Sequence, residues 1–308
     1  MTAVTADRTV AGLRARLTID RSIPSRLTAP LIDLASWEGP YVPDLTIGLR
    51  PFDDETDRSP VTENLQPSGS LRSSDDGRSV HHRQPHCVAT LDRVSCSIQA
   101  SIRAGAQSTF TARPLHTLLS IVCADRGIDL VHAALVSLDG RGILIAGPGG
   151  SGKSTTALAA MLDGWDYLGD DCAAIAPGGD TFIGSSVYAS GCVEPGHLAR
   201  FAPQLAVDHA APDDKALVPL PARVAQTSTS IRAIVLPRVT GGEDVVLTRL
   251  DAKTALLALA PTSILRRAVP AAATLARLRA LVTSCPCYLL EMGPTDRIAR
   301  RLRQILAD

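Results

Sequence analysis

The run Gly147-Pro-Gly-Gly-Ser-Gly-Lys-Ser154 satisfies the pattern G-x-x-x-x-G-K-[ST] at every fixed position, and no other segment narrows the chain's folding options so far. Ahead of it, Gly142-Ile-Leu-Ile-Ala146 is a short apolar run that predicts a buried strand, and behind it Thr155-Thr-Ala-Leu-Ala-Ala-Met-Leu162 predicts a helix. A strand, a glycine turn and a helix start, in that order, form an anion cradle: backbone N–H groups of residues 149–154 point inward and the positive end of the helix dipole backs them. The residues predicted to line a bound nucleotide are Gly147, Gly149, Gly150, Ser151, Gly152, Lys153, Ser154 and Thr155. In this pattern Lys153 reaches the β- and γ-phosphate oxygens and the Ser154 hydroxyl holds Mg²⁺, so ATP and Mg²⁺ are the expected ligands. The glycines are needed because a Cβ would keep the backbone from approaching a phosphate so closely. An accidental glycine-rich turn is the plain alternative, and the flanking strand and helix argue against it.

At 308 residues with 45% hydrophobic content the chain is long enough for one large domain or two ordinary ones. Its 31 Lys and Arg balance 31 Asp and Glu, so no global field draws it to nucleic acid or to an anionic membrane, and neither is an expected partner. The start, Met1-Thr-Ala-Val-Thr-Ala-Asp-Arg8, lacks a basic-then-apolar signal pattern, and no long uninterrupted apolar stretch follows, which predicts a cytoplasmic location. Cys87, Cys96, Cys123, Cys172, Cys192, Cys285 and Cys287 are odd in number and show no C-x-x-C spacing, as expected of reduced thiols. Cys285-Pro-Cys287 opens the apolar run Tyr288-Leu-Leu290 and reads as a pair of buried strand cysteines rather than a metal clip.

Residues 1–112 read as a β-rich lobe, on the alternation in Cys87-Val-Ala-Thr-Leu-Asp-Arg-Val-Ser-Cys-Ser-Ile-Gln-Ala-Ser-Ile102. Within it, residues 51–84 are rich in Asp, Ser, Arg, Pro and Gly and predict a long mobile loop, because they offer little apolar surface to offset ordering entropy. His81, His82 and His86 fall in that tract and are expected to be exposed, with no acidic or cysteine partner at ligand spacing. Residues 113–308 form the predicted catalytic domain. It opens with a helix over Arg113–Gly127, then strands Leu130–Ser137 and Gly142–Ala146 joined through Asp139-Gly140, a hairpin signal. A hairpin feeding the loop implies a mixed sheet. Further strands are expected near Tyr167-Leu168, Cys172–Ala176, Ile231–Pro237, Asp244–Thr248 and Cys287–Glu291, and helices over Ala252–Ala260, Ala271–Thr283 and Asp296–Ala307. The fold class is therefore α/β: a P-loop core with a mixed sheet, plus the N-terminal β-rich lobe.

Phosphoryl transfer also needs a metal ligand and a group to take the acceptor's proton. Leu168-Gly-Asp-Asp-Cys172 supplies two carboxylates at the end of a predicted strand, at a distance that returns the chain to the strand edge beside the loop. Asp170 is placed on Mg²⁺ and Asp171 as the base. Adjacent carboxylates raise one another's pKa, which suits a base and is partly offset by a metal. The plain alternative is an Asp-rich turn at a strand end. His132, in Leu130-Val-His-Ala-Ala-Leu-Val136, is a third candidate; taken alone it reads more readily as a satisfied half-buried histidine.

His132, the loop, and Asp170-Asp171, with twenty-one residues from His132 to Lys153 and eighteen from Lys153 to Asp171, resemble the bacterial HPr kinase/phosphorylase group. The resemblance implies a carboxykinase-like P-loop fold, Asp171 as proton acceptor, and essential roles for His132 and Lys153. It covers residues 113 to 175 best. Where HPr enzymes usually carry Glu after the loop Ser, this chain has Thr155, and Glu194 lies in the neighbourhood of their later metal-binding segment. Arg113-Pro-Leu115, Val131-His-Ala-Ala134, Tyr167-Leu-Gly-Asp-Asp171 and Pro286-Cys-Tyr-Leu-Leu-Glu291 look more like the HPr-kinase-like proteins of lasso peptide pathways. Members of that subgroup phosphorylate the C-terminal Ser of a precursor peptide, so the implied partner is a peptide or small protein. HPr kinases assemble as hexamers, which leaves a homo-oligomer open. Arg238, Arg266 and Arg267 are candidates for stabilising the transferred phosphoryl group. A small-molecule alcohol or sugar as acceptor, and a nucleotide switch without turnover, are the two alternative readings.

Overall fold

Period-two alternation builds the first sheet. In Leu13-Arg-Ala-Arg-Leu-Thr-Ile-Asp20 the residues Leu13, Ala15, Leu17 and Ile19 are buried while the intervening side chains face outward. The computed structural model describes residues 3–37, 39–57, 69–105, 113–193, 216–219, 227–264 and 271–307. Strands β1 (Ala3–Val10), β2 (Leu13–Asp20), β3 (Leu45–Pro51), β4 (Ser70–Ser73), β5 (Ser79–Gln84), β6 (Cys87–Asp92) and β7 (Ser97–Ile102) form one sheet in the order β1-β2-β3-β7-β6-β5-β4. A short helix, α1 (Ala29–Ile32), lies in the connection from β2 to β3.

Here the structure corrects the expectation of a mobile loop over residues 51–84. Residues 70–84 form the antiparallel hairpin β4–β5, and β5 pairs along its whole length with β6. Hydrogen bonding to β6 fixes alternate residues inward, so Val80 and His82 are buried although the tract is polar. His82 thus departs from the expected exposure, whereas His81 is exposed. Within the tract, residues 58–68 lie outside the described residues.

After helix α2 (His116–Ala124), a second sheet uses β8 (Asp129–Val131), β9 (Ala133–Leu138), β10 (Arg141–Ala146), β11 (Asp166–Gly169), β12 (Ala173–Gly178) and β13 (Thr181–Ser186). Helix α3 (Lys153–Leu162) separates β10 from β11. Strands β14 (Ser190–Val193) and β15 (Ala216–Pro219) make a separate antiparallel ribbon. The second sheet is completed by β16 (Ser228–Val239), β17 (Val246–Leu250) and β18 (Cys287–Met292), with helices α4 (Ala252–Ile264) and α5 (Ala271–Ser284) before β18 and α6 (Ile298–Ala307) after it. The order β11-β9-β10-β16-β13-β12-β8, with β18 on β16, is mixed: β10 and β18 run parallel to β16, and the remaining pairs are antiparallel. The β9–β10 hairpin turns at Asp139 (φ 51°) and Gly140 (φ 72°), the left-handed pair that a two-residue turn requires.

The predicted single strand Leu130–Ser137 is divided at His132. Its first part, β8, pairs with β12, and its second, β9, pairs with β10 and β11.

Both faces of the second sheet are covered, which explains the unbroken apolar run of β10. Ile143 and Ile145 pack with α3 and α6, while Leu144 and Ala146 pack with α4 and α5. Ile298, Leu302 and Ile305 supply the buried stripe of α6. Helix α2, expected to belong with the domain after residue 113, buries Leu118, Leu119, Val122 and Cys123 in the same cluster as the first sheet. That cluster also takes in Leu130, Cys172, Ala174 and Tyr188. Among the described residues no helix is long and apolar enough to cross a membrane.

Helix α5 is tied to the sheet by charge. Asp129 is fully buried on β8; Arg277 approaches it through Nε at 2.5 Å and through a terminal nitrogen at 3.1 Å, and Thr274 Oγ1 donates to it at 2.7 Å. Removing the guanidinium leaves a buried carboxylate short of its counter-charge, so Arg277→Ala is expected to lower unfolding free energy by about 3 kcal/mol in urea denaturation, toward the low end for a broken buried pair because Arg277 itself reaches solvent. Burial pushes the Cys87 thiol up to about 12 and that of Cys287 to about 11. At pH 8 both remain thiols, and a thiolate-selective reagent is expected to label neither until the protein unfolds, as mass analysis of labelled peptides would show.

Candidate functional site

The C-terminal ends of the parallel strands β10, β16 and β18 converge on the glycine loop. Ala146 ends β10, residues 147–152 turn, and α3 begins at Lys153. Residues 148–150 are exposed at the tip while Ala146 and Lys153 on either side are buried, so the turn is held at its base and open at its crest. Gly147 (φ 143°), Gly150 (φ 78°) and Gly152 (φ 104°) all take left-handed backbone. Gly152 is the N-cap of α3, and its α-carbon abuts the ends of the two neighbouring strands: a Cβ there would run into Met292 Sδ and come within 3.4 Å of Val239 Cγ2.

Lys153 is buried with its amine folded back onto the loop, donating to the carbonyls of Gly147 and Pro148 at 2.9 Å each. Ser151 Oγ is buried with no hydrogen-bond partner, an orphan hydroxyl within the turn that an anion would satisfy. Thr155 is buried in the first turn of α3 and Ser154 is partly exposed beside it. Two oxygen donors of the kind a hard cation takes are the hydroxyl of Ser154, at the start of α3, and the carboxylate of Asp170, which is 2% exposed just after β11. Those groups fit Mg²⁺, which is typically bound by one or two protein oxygens together with phosphates and water.

The other half of the site follows from strand register. Ala133 lies opposite Ala146, so His132 stands level with the start of the loop. Val131 lies opposite Ala173, so the connection from β11 to β12, residues 170–172, wraps around His132. As a result His132 Nδ1 is 3.1 Å from the Asp171 backbone oxygen and 3.1 Å from Asp171 Oδ1. Both partners are acceptors, so Nδ1 carries the hydrogen. The His132 backbone N–H donates to Ser263 Oγ at 3.3 Å. On its other side Asp171 Oδ2 meets an Arg113 terminal nitrogen at 3.2 Å. The carboxylate is thus held between a guanidinium and an imidazole, one oxygen to each, with about a fifth of its side chain exposed.

Arg113 entered the sequence reading as the start of a helix and within the resembling segment Arg113-Pro-Leu115, with no role given to its side chain. No spacing rule relates it to Asp171, because their proximity is made by the pairing of β8 with β12 and by the residues ahead of α2. Tyr188 holds that segment: its phenol, which burial pushes well above its ordinary pKa, donates to the Pro114 carbonyl at 3.1 Å. Cys172 Sγ lies 3.9 Å from His116 Nδ1. Arg238, a predicted phosphoryl-group ligand, is paired with Glu291 at 2.5 Å on adjacent strands. Arg266, Arg267 and Glu194 lie outside the described residues.

Over residues 94–188 the chain is similar to the family described as SynChlorMet cassette protein ScmC. That stretch contains every site residue from Arg113 to Tyr188. Among solved structures the chain is similar to the Hpr(Ser) kinase/phosphatase from Coxiella burnetii, at 12% identity and a TM-score of 0.34, over 58% of this chain and 88% of that one. No curated protein matches the chain.

The crowding at Gly152 makes a direct test of the loop's geometry. Gly152→Ala combines left-handed strain with a collision at Met292, and is expected to destabilise the protein by about 2–4 kcal/mol in chemical denaturation. Met292→Ala in that background relieves the collision alone and is expected to recover only part of the loss.

Proposed function

We propose that this chain is an ATP- and Mg²⁺-dependent phosphotransferase that acts on a hydroxyl acceptor. The observation that carries the reading is the placement of Asp171, oriented by His132 and Arg113, on the same sheet edge as the strand–glycine turn–helix unit with its buried Lys153. In this reading the nucleotide phosphates lie over residues 147–155, with Lys153 exchanging its carbonyl partners for phosphate oxygens and the Ser151 hydroxyl gaining a partner. Ser154 and Asp170 would hold a Mg²⁺ ion, which would supply charge neutralisation to the phosphates.

The chemistry assigned to the chain's own groups is limited and balanced. The acceptor oxygen bonds to the γ-phosphorus, the bond to the β,γ-bridging oxygen breaks with its electron pair leaving on ADP, and the acceptor's proton passes to Asp171. His132 keeps the carboxylate turned toward the acceptor through Nδ1–H, on the same logic by which a positioned partner fixes a base elsewhere. The acceptor we favour is a serine hydroxyl of a peptide, of the type that ends a lasso precursor, on the resemblance carried by Arg113-Pro-Leu115, Val131-His-Ala-Ala134 and Tyr167-Leu-Gly-Asp-Asp171.

Lys153→Ala is expected to weaken ATP binding and reduce transfer at least a hundredfold, whereas Asp171→Asn is expected to keep ATP binding and lose transfer by roughly a thousandfold. Isothermal titration with ATP and intact-mass detection of a phosphorylated peptide read the two effects separately. Full transfer by the Asp171→Asn variant would overturn the assignment of the base.

A further inference from the structure

The two side chains that hold Asp171 are themselves placed by different parts of the molecule. His132 is set by the second sheet, through the ladders of β8 and β9 on either side of it. Arg113 lies on no strand or helix, so the placement of its guanidinium, 3.2 Å from Asp171 Oδ2, depends on the turn that carries it. In that turn the Arg113 carbonyl accepts the His116 N–H at 3.3 Å, with Pro114 second and Leu115 third. Leu115 is left-handed at φ 59°, in the position of a type II turn that ordinarily takes glycine. A leucine keeps such a conformation only where its surroundings over-determine it.

Those surroundings belong to the first sheet. The Leu115 side chain is 3% exposed and lies in the cluster that the first sheet forms with α2. The carbonyl of Pro114, between Arg113 and this strained residue, accepts the Tyr188 phenol at 3.1 Å. Burial keeps the phenol protonated, and so a donor. Tyr188 in turn stands between two main-chain anchors. On one side the Ser186 carbonyl accepts the N–H of Ala11, in the β1–β2 turn, at 2.7 Å; on the other the Ala189 N–H donates to the Pro30 carbonyl of α1 at 2.8 Å. Val187, Tyr188 and Ala189 are all buried in the first-sheet cluster. The path from the first sheet to the carboxylate is therefore short: Ala11 and Pro30 hold residues 186–189, Tyr188 holds Pro114, and Arg113 meets Asp171.

We propose that Tyr188 is a positioning residue for phosphoryl transfer, and that through it the first sheet sets the orientation of Asp171 toward the acceptor. This rests on the phosphotransferase reading above. Tyr188 acts through the Arg113 turn and not on the reacting atoms. The first sheet, which carries none of the motif, thereby contributes to rate as well as to stability.

The test is a double-mutant cycle in the full chain with ATP, Mg²⁺ and a short synthetic peptide ending in serine, read as kcat and as the KM for ATP. Tyr188→Phe keeps the buried ring and removes only the donor. It is expected to lower kcat by roughly tenfold, the effect of leaving one carbonyl unsatisfied. The KM for ATP is expected to stay unchanged, because the glycine loop rests on β10 and α3. Arg113→Gln is expected to lower kcat by more, and adding Tyr188→Phe to it to cost nothing further, since the turn then has no guanidinium to aim. A tyrosine with a structural role alone would cost the same factor in both backgrounds. Pro114→Ala loosens the turn while leaving Tyr188 in place; it is expected to lower kcat by about threefold with the same dependence on Arg113, so the cycle does not hang on one variant. Retention of an ATP-induced rise in Tm shows that each variant is folded. An unchanged kcat in Tyr188→Phe, or equal factors with and without Arg113, would overturn the proposal while leaving the phosphotransferase reading standing. If the unmodified chain transfers no phosphoryl group to the peptide, that reading and this proposal fall together.

Discussion

Backbone N–H and C=O groups removed from water must find partners, and the way residues 129–138 meet that demand organises the site. The chain pairs with β12 up to Val131, then with β10 and β11 from Ala133 onward, and it changes partners at His132. At such a change one residue is left outside both ladders. Here that residue presents its imidazole to the connection between β11 and β12, and the same change sets the start of the glycine loop beside it. The two sequence features farthest apart in character, a glycine turn and an Asp pair, meet because one strand is interrupted between them.

Packing supplies the stiffness that the change of partners needs. Helices cover both faces of the second sheet, and the buried Asp129–Arg277 pair ties α5 to β8 two residues before Val131. The loop itself is held at its base, by Lys153 on its carbonyls and by the close approach of Gly152 to β16 and β18. Rigid walls around an open crest of exposed backbone are the arrangement expected where a ligand is gripped by main-chain groups.

What could be read from the sequence was local. The glycine turn, the helix after it and the Asp139-Gly140 hairpin each depend on neighbours within a few residues, and each lies where its pattern indicates. Roles for His132 and Asp171 were suggested separately by likeness; their contact comes from strand pairing that no spacing rule encodes. Residues 70–84 were misjudged because their strand character comes from β6, not from their own composition; a polar tract can be a strand when an ordered neighbour supplies its hydrogen bonds. The break at His132 was invisible because Leu130-Val-His-Ala-Ala-Leu-Val136 contains no glycine or proline to mark it. The Arg113–Asp171 pair was not legible, although Arg113-Pro-Leu115 was part of the likeness, since it depends on a segment pinned by Tyr188 from well beyond the loop.

The shared hydrophobic cluster limits how far the chain can be divided. A fragment beginning at residue 113 would contain Arg113, His132, the glycine loop and Asp171, and so by motif would be complete. It would also strip the first sheet from Leu118, Leu119, Val122 and Leu130, and remove the carbonyl of Pro30 that accepts from the Ala189 N–H and the N–H of Ala11 that donates to the Ser186 carbonyl. Such a piece would face solvent with an apolar patch and broken main-chain bonds immediately behind its reactive groups, inviting self-association. The lobe that carries none of the motif shares its buried cluster with the residues that follow it, so the two halves are packed as one body behind the site.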